Sequence, residues 1–361
     1  MFAMKKKCYL FCIVFILVIC YCSKTEIKEI KDIQLKKEFE ISAESTDRLE
    51  SIALHSYDNK GNIYIYDDIN MKVVVFDSTG NYSYKFGRYG SGPGEFKYIA
   101  TIVPTLSYIL IMDYSKSSII KYDYNGKFIS EKKISLISTE KAVADGDILL
   151  TWYQMYLEEG NKIILKRGIG VFSESLKLIK NIYSVKEEYN PWIIDPNIVS
   201  SVFSLNKLNG NIAVSEIYPD EFKVHIFNKN YELIKTLSLN IPPIKYAEKT
   251  FNELQEYYNK YGETISKQYG KKVEVKKMNK CTRLVKGIAY DRNSNLWIAT
   301  PEENEPEKVR IIIFDKNYQL KGVFHTELPL GKMHIRNNNL IYGTGTSSEN
   351  SKIIGYTIIK K

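Results

Sequence analysis

The sequence predicts an all-β chain, a six-bladed β-propeller with a helical insertion between the fourth and fifth blades. Three observations carry this. One phrase recurs six times: an apolar strand, a polar turn, a second apolar strand, a tight Gly or Asn turn, then an alternating strand. Three of the spacings between copies approach the ~40–50 residues of a four-stranded blade. An alternating strand, "IQLKKEFEIS" at 33–42, precedes the first copy, and the last copy lacks an outer strand. Pairing these two segments would close the ring and abolish its open edge.

The clearest copies are "GNIYIYDDINMKVVVFDSTGNYSYKFG" from Gly61 and "SYILIMDYSKSSIIKYDYNGKFISEKK" from Ser107. Weaker copies begin at Gly146, Gly210, Ser294 and Asn338. Their first apolar strand residues are Ile63, Ile109, Ile148, Ile212, Leu296 and Leu340, giving steps of 46, 39, 64, 84 and 44. The two long steps imply insertions. One is visible at 245–280, where Phe251, Leu254, Tyr257 or Tyr258, Tyr261 and Ile265 recur at three- and four-residue steps. That is an amphipathic helix of about twenty residues.

The glycine-rich stretch "FGRYGSGPGEF" (86–96) falls between two copies. A phosphate loop needs strand, loop and helix with a Gly-Lys-Ser/Thr, and neither the helix nor that motif follows. The stretch therefore reads as a rim-to-axis crossing, with Phe96 anchored between blades.

Residues 1–21 have the pattern of a secretory leader: Lys5, Lys6 and Lys7, then an apolar run from Cys8 to Cys22. Fifteen helical residues reach about 22 Å, short of the ~30 Å hydrocarbon core. A cysteine that closes such a run and opens a polar stretch resembles a bacterial lipoprotein signal. Cys22, followed by Ser23 and Lys24, is the expected lipidated residue, with Cys20 the alternative. Residues 22–32 then form a linker, and 33–361 the propeller. With the leader's cysteines set aside and Cys22 lipidated, Cys281 has no partner in the chain, so neither a disulfide nor a structural zinc is expected. The net charge of +9 is spread along the chain, unlike the clustered basic face of a nucleic-acid binder.

"FGRYGSGPGEF", "GNIYIYDDINMKVVVFDSTGNY" and "GIAYDRNSNLWIAT" resemble NHL-type repeats, and with the lipoprotein start the whole is similar to the six-bladed propeller lipoproteins of Bacteroidetes. The likeness covers residues 50–130 and 284–325 and is loose between. It implies a fold and an outer-membrane or cell-envelope address, not one activity. Two functions follow as expectations. The first is a lipid-anchored, non-enzymatic binding or scaffold protein for a protein, peptide or glycan. The second is a propeller hydrolase or lyase with an axial metal. Known propellers of that second kind hold metals through histidines or acids at the axis. Here His55 and His334 are placed on inner strands, while His225 and His325 lie away from the axis. Asp58, Asp145 and Asp291 are the acids an axial calcium would use, and also the acids tight turns use. No cofactor is expected otherwise. Ligand candidates come from the loops: Arg88, Tyr89, Asp67, Asp113, Tyr218, and Trp152 and Tyr153 in "TWYQMYLEEG" (Thr151–Gly160), which is read as a long loop.

Overall fold

The computed structural model describes residues 28–134, 142–145, 148–173, 177–197, 202–215, 221–329, 331–336, 339–344 and 351–360. Six four-stranded antiparallel sheets follow the chain. After β1 (Ile33–Ile41), the first blade is β2 (Leu54–Tyr57), β3 (Ile63–Asp67), β4 (Lys72–Phe76) and β5 (Tyr82–Phe86). The second is β6 (Ile99–Pro104), β7 (Ile109–Asp113), β8 (Ser118–Tyr122) and β9 (Phe128–Lys133). The third is β10 (Ala142–Asp145), β11 (Ile148–Glu159), β12 (Lys162–Ser173) and β13 (Leu178–Glu188). A short β14 (Ile193–Ile194) leads to the fourth, formed by β15 (Phe203–Leu205), β16 (Ile212–Ser215), β17 (Phe222–Phe227) and β18 (Leu233–Leu239). Next come α1 (Glu248–Tyr269) and β19 (Glu274–Val275), which pairs in parallel with β14. The fifth blade is β20 (Gly287–Tyr290), β21 (Leu296–Pro301), β22 (Lys308–Phe314) and β23 (Leu320–Pro329). The sixth joins β24 (Gly331–Arg336), β25 (Asn339–Thr344) and β26 (Lys352–Lys360) to β1.

The closing strand is as expected: β1 pairs antiparallel with β26 from Ile33↔Lys360 to Ile41↔Ile353. Part of the stretch expected as a linker also joins the sheet structure. Ile30 N donates to Val323 O (2.7 Å) and Val323 N to Lys28 O (2.9 Å), strapping the chain onto β23. Gly322 permits this, because a Cβ there would lie 2.3 Å from Lys28 O.

The first strands pack on one another around the axis, β2 on β6, β6 on β10, β15 on β20 and β20 on β24. The second strands are the most buried; every residue of β3, β7, β16 and β21 is buried. Six apolar clusters fill the seams between blades. Phe96 is fully buried in the seam between the first two blades, its ring 5.9 Å from Tyr66. Gly87, at φ 78°, leaves room for it: a Cβ there would lie 2.2 Å from the Phe96 ring. The glycine-rich loop cradles its own acid: the Glu95 carboxylate accepts from Gly92 N (2.8 Å) and pairs with Arg88 Nε (2.8 Å).

One expectation fails. Thr151–Gly160 is not a loop. Its residues continue β11 to Glu159, paired with β12 up to Glu159↔Lys162. The β11–β12 hairpin and β13 thus extend well beyond the four-residue β10 as a fin.

Candidate functional site

Propeller topology sorts connections onto two faces. First-to-second and third-to-fourth strand turns lie on one face. Second-to-third turns and the blade-to-blade crossings lie on the other. The first, the turn face, is built from tight turns locked by one device: a side-chain oxygen accepts backbone N–H groups two and four residues on. Asp77 takes Thr79 N and Asn81 N at 2.8 and 3.0 Å, Asp123 takes Asn125 N and Lys127 N at 2.9 and 2.8 Å, and Asp315 takes Asn317 N and Gln319 N at 2.8 and 2.9 Å. Asp58 and Asp291 do the same, and their second oxygens accept from Asn62 and Asn295 side chains at 2.8 and 2.7 Å. These two axial-calcium candidates are therefore turn caps with both oxygens engaged. Of the third, Asp145, only its place at the end of β10 is described.

The opposite face carries the fin, α1 and the β14–β19 pair; we call it the insertion face. Its aromatic side chains gather into strips. Tyr98, before β6, stands edge-on to Tyr114 in the β7–β8 turn, with ring centroids 6.3 Å apart. Tyr156 on the fin packs on Tyr189 at 4.6 Å. Burial pushes the Tyr156 hydroxyl up to about 12, helped by Tyr189 and by the nearby Tyr114. The two pairs belong to neighbouring blades, the second and the third. Across the face, Trp192 meets Tyr269 at 6.2 Å and holds Lys271 Nζ 4.4 Å above its ring. Helix α1 turns Phe251, Leu254, Tyr258 and Ile265 inward to half-burial and buries Gly262 against Val275, leaving Tyr257 and Tyr261 exposed with parallel rings 6.4 Å apart.

The ligand candidates read from the sequence separate by burial. Arg88 and Tyr89 are exposed on the insertion face. Asp67 is fully buried. It accepts from Glu50 N (2.9 Å), Ser51 Oγ (3.0 Å), Asn70 N (3.0 Å) and Asn70 Nδ2 (2.9 Å). Asp113 is buried and accepts from Lys97 N (2.6 Å) and Lys116 N (3.0 Å). In the fourth blade Ser215 Oγ accepts from Val202 N (2.9 Å) in the same way. The side chain ending a second strand thus locks the segment entering the inner strand. Trp152 is buried in the seam with the fourth blade, and Tyr153 in the seam with the second, where its hydroxyl donates to Asn181 Oδ1 (2.6 Å). Tyr218 and Cys22 lie outside the described residues. Tyr114 and Tyr156 lie in stretches read as ligand loops from the sequence; Tyr98 and Tyr189 were not singled out, because ring order alone brings them to these positions.

Three further features are candidates. A cavity of about 340 Å³ beside the fifth blade is lined by Glu302, Glu305, Lys308, Arg310, His325 and Glu327, among others. His325 Nδ1 lies 2.7 Å from Glu302, and Lys308 bridges Glu305 and Glu327 at 2.9 and 2.7 Å. At the axis, His55 and His334 do sit on inner strands, with Tyr57 between them, stacked 4.5 Å from His334 and edge-on 5.5 Å from His55. Near the Tyr246 ring that precedes α1, burial and the neighbouring Arg283 lower the Lys286 ammonium to about 7, and its Nζ donates to Thr282 Oγ1 (2.5 Å).

The blade count, the ring closure and a sequence match to 25–269 decide the family. The chain belongs to the DUF5128 six-bladed β-propeller family. Two solved structures share this DUF5128 chain's fold. One, from Bacteroides fragilis NCTC 9343 and described as exported, is 15% identical with a TM-score of 0.53, covering 93% of this chain and 98% of its own. The other, a DUF4221 member from Bacteroides vulgatus ATCC 8482, is 11% identical with a TM-score of 0.51, covering 91% and 99%. No curated protein sequence matches the chain.

Proposed function

We propose that this DUF5128 protein is exported, anchored in the cell envelope through a lipid on Cys22, and non-enzymatic, binding a protein, peptide or glycan on its insertion face. One observation carries the binding reading. Among the described residues, seven of the eight exposed tyrosines (Tyr89, Tyr98, Tyr114, Tyr156, Tyr257, Tyr261 and Tyr269) belong to that face, while Tyr82 does not. A tyrosine offers a flat apolar ring and a polar tip at low entropic cost, which suits polar organic ligands. The charged leader and apolar run before Cys22 support export, as does the description of the B. fragilis fold-mate.

The test uses lipidated protein captured from its own membranes, with bound proteins and glycans both identified. Replacing Tyr98, Tyr114 and Tyr156 together by Ala is expected to reduce capture at least about tenfold, as loss of a hot-spot cluster does, without altering the fold. Identical capture by both proteins would overturn the site. For the anchor, Cys22→Ala is expected to move the protein to the soluble fraction. Full membrane retention with Cys20 also replaced would overturn it.

A further inference from the structure

We propose that the turn face is a membrane-docking surface that rests on an anionic lipid headgroup layer and presents the insertion face away from the bilayer. The surface chemistry stands by itself; the tether geometry rests on the anchoring reading above.

Three independent features meet on this face. The first is where the chain arrives. β1 enters at Ile33, opposite Lys360, the turn-face end of β26. Residues 28–30 lie on Val323, near the Asp315–Gln319 turn of the same face. From Cys22 to Lys28 the chain spans at most about 20 Å, so a lipid on Cys22 would hold this side of the ring close to the membrane.

The second feature is charge. Exposed cations stand at the tips of seven turn-face connections: Lys60, Lys127, Lys177, Lys207, Lys229, Arg292 and Lys316. The aspartates of these turns are buried or half-buried, with oxygens directed back onto backbone N–H groups. Of the tip acids, Glu232 is exposed and accepts from Asn228 Nδ2 at 2.9 Å. Where the chain arrives, exposed Lys28 and Lys31 offset the exposed Glu29 and Asp32, so among the described residues exposed cations outnumber exposed carboxylates on this face and attract a plane of phosphates.

The third feature is apolar. Leu106 and Leu208, exposed by 67% and 69%, are the two most exposed aliphatic side chains described, and both cap first-to-second turns. Ile129, Ile179, Leu233 and Ile234, all exposed, start the outer strands just behind the turn-face rim. Exposed aliphatics with lysines are what an interfacial surface needs; the opposite face adds exposed tyrosines to its exposed Ile69 and Ile163.

The test begins with the full chain carrying Cys22→Ala, mixed with phosphatidylglycerol–phosphatidylcholine vesicles or with phosphatidylcholine alone. It is expected to bind the anionic vesicles in a salt-sensitive way and the neutral ones far less. Lys60→Glu, Lys229→Glu and Lys316→Glu together should weaken binding at least about a hundredfold, at roughly fivefold per lysine, with an unchanged melting temperature. Orientation is read on the lipidated chain carrying Cys281→Ser, with a fluorophore at Leu208→Cys or Tyr261→Cys and nitroxide lipids in the bilayer. Quenching is expected at 208 and not at 261. Equal binding to both vesicle types, an unaffected triple variant, or stronger quenching at 261 would each overturn the proposal. Failure of the anchor reads out separately, as a parent chain that floats on neutral vesicles no better than its Cys22→Ala variant.

Discussion

Replacing Asp67 by Ala separates a ligand-facing acid from a structural one. The Asp67 carboxylate accepts from five donors: the N–H groups of Glu50, Ile69 and Asn70, the Ser51 hydroxyl and the Asn70 amide. Ser51 retains Asp68 Oδ1 as an acceptor at 2.5 Å, and Ile69 N lies 3.4 Å from Ser51 Oγ. The N–H groups of Glu50 and Asn70, whose bonds to Asp67 are part-buried, have no such substitute, and each orphan costs at most about 1–3 kcal/mol. With the small cavity left behind, we expect a loss of roughly 3–5 kcal/mol from a native stability of about 5–15 kcal/mol. Near 2 °C per kcal/mol, the melting point should fall by about 6–10 °C, read by near-ultraviolet circular dichroism. The pH dependence follows with its sign. Burial alone would raise the Asp67 pKa, but hydrogen bonds from Asn70, Glu50 and Ser51 outweigh it and hold the group below its ordinary value of 3.8. Its stabilisation is therefore complete above that value and lost as pH falls below it, so the acid limb of the stability curve should be shallower in the variant. A melting point within 1 °C of the parent, with ligand capture lost, would refute the structural reading.

Two further predictions concern closure and burial. Removing residues 33–41 leaves the outer edge of β26 unpaired and breaks the Glu40–Lys352 ion pair (3.0 Å), so aggregation or a fall of more than about 10 °C is expected; a soluble truncation with an unchanged melting point would refute ring closure by β1. For Lys286, the unfolded chain keeps its proton to about 10.5 while the folded chain releases it above about 7, so stability should rise with pH across that window. Lys286→Met should flatten this rise and stabilise the protein at pH 6 by about 1–3 kcal/mol; an unchanged pH profile in chemical denaturation would refute it.

What was legible in the sequence follows burial. The six residues marking the repeat all fall at the start of a second strand, because those strands pack on both sides and read as unbroken apolar runs. The inner strands were harder to read. β2 is half-buried throughout and β15 has three residues, leaving little periodicity to detect. Helix α1 was legible because one face packs on β19 while the other meets solvent. The fin was not, because Trp152-Tyr153 and Met155-Tyr156-Leu157 break the period-2 pattern of a half-buried strand, and the polar Glu158-Glu159-Gly160 turn follows them. The acids Asp67 and Asp113 illustrate the limit at the site. An acid closing a strand looks the same in sequence whether it turns outward to a ligand or inward to a backbone N–H, and here both turn inward.

The difference between the two faces follows from connectivity. A turn between adjacent strands of one blade must keep them in register, so those on the turn face stay short and use an Asp or Asn cap in blade after blade. Crossings between blades, and the hairpins between second and third strands, can lengthen without disturbing the seam clusters that hold the ring. The fin and α1 occupy these positions, in steps of 64 and 84 residues where an uninterrupted blade takes 39 to 46. A propeller can therefore diversify one face while the other keeps a uniform surface. In this DUF5128 chain the diversified face carries most of the exposed tyrosines and the uniform one the two most exposed aliphatics described, Leu106 and Leu208, so a ligand role and an anchoring role can occupy opposite ends of one axis without competing for the same residues.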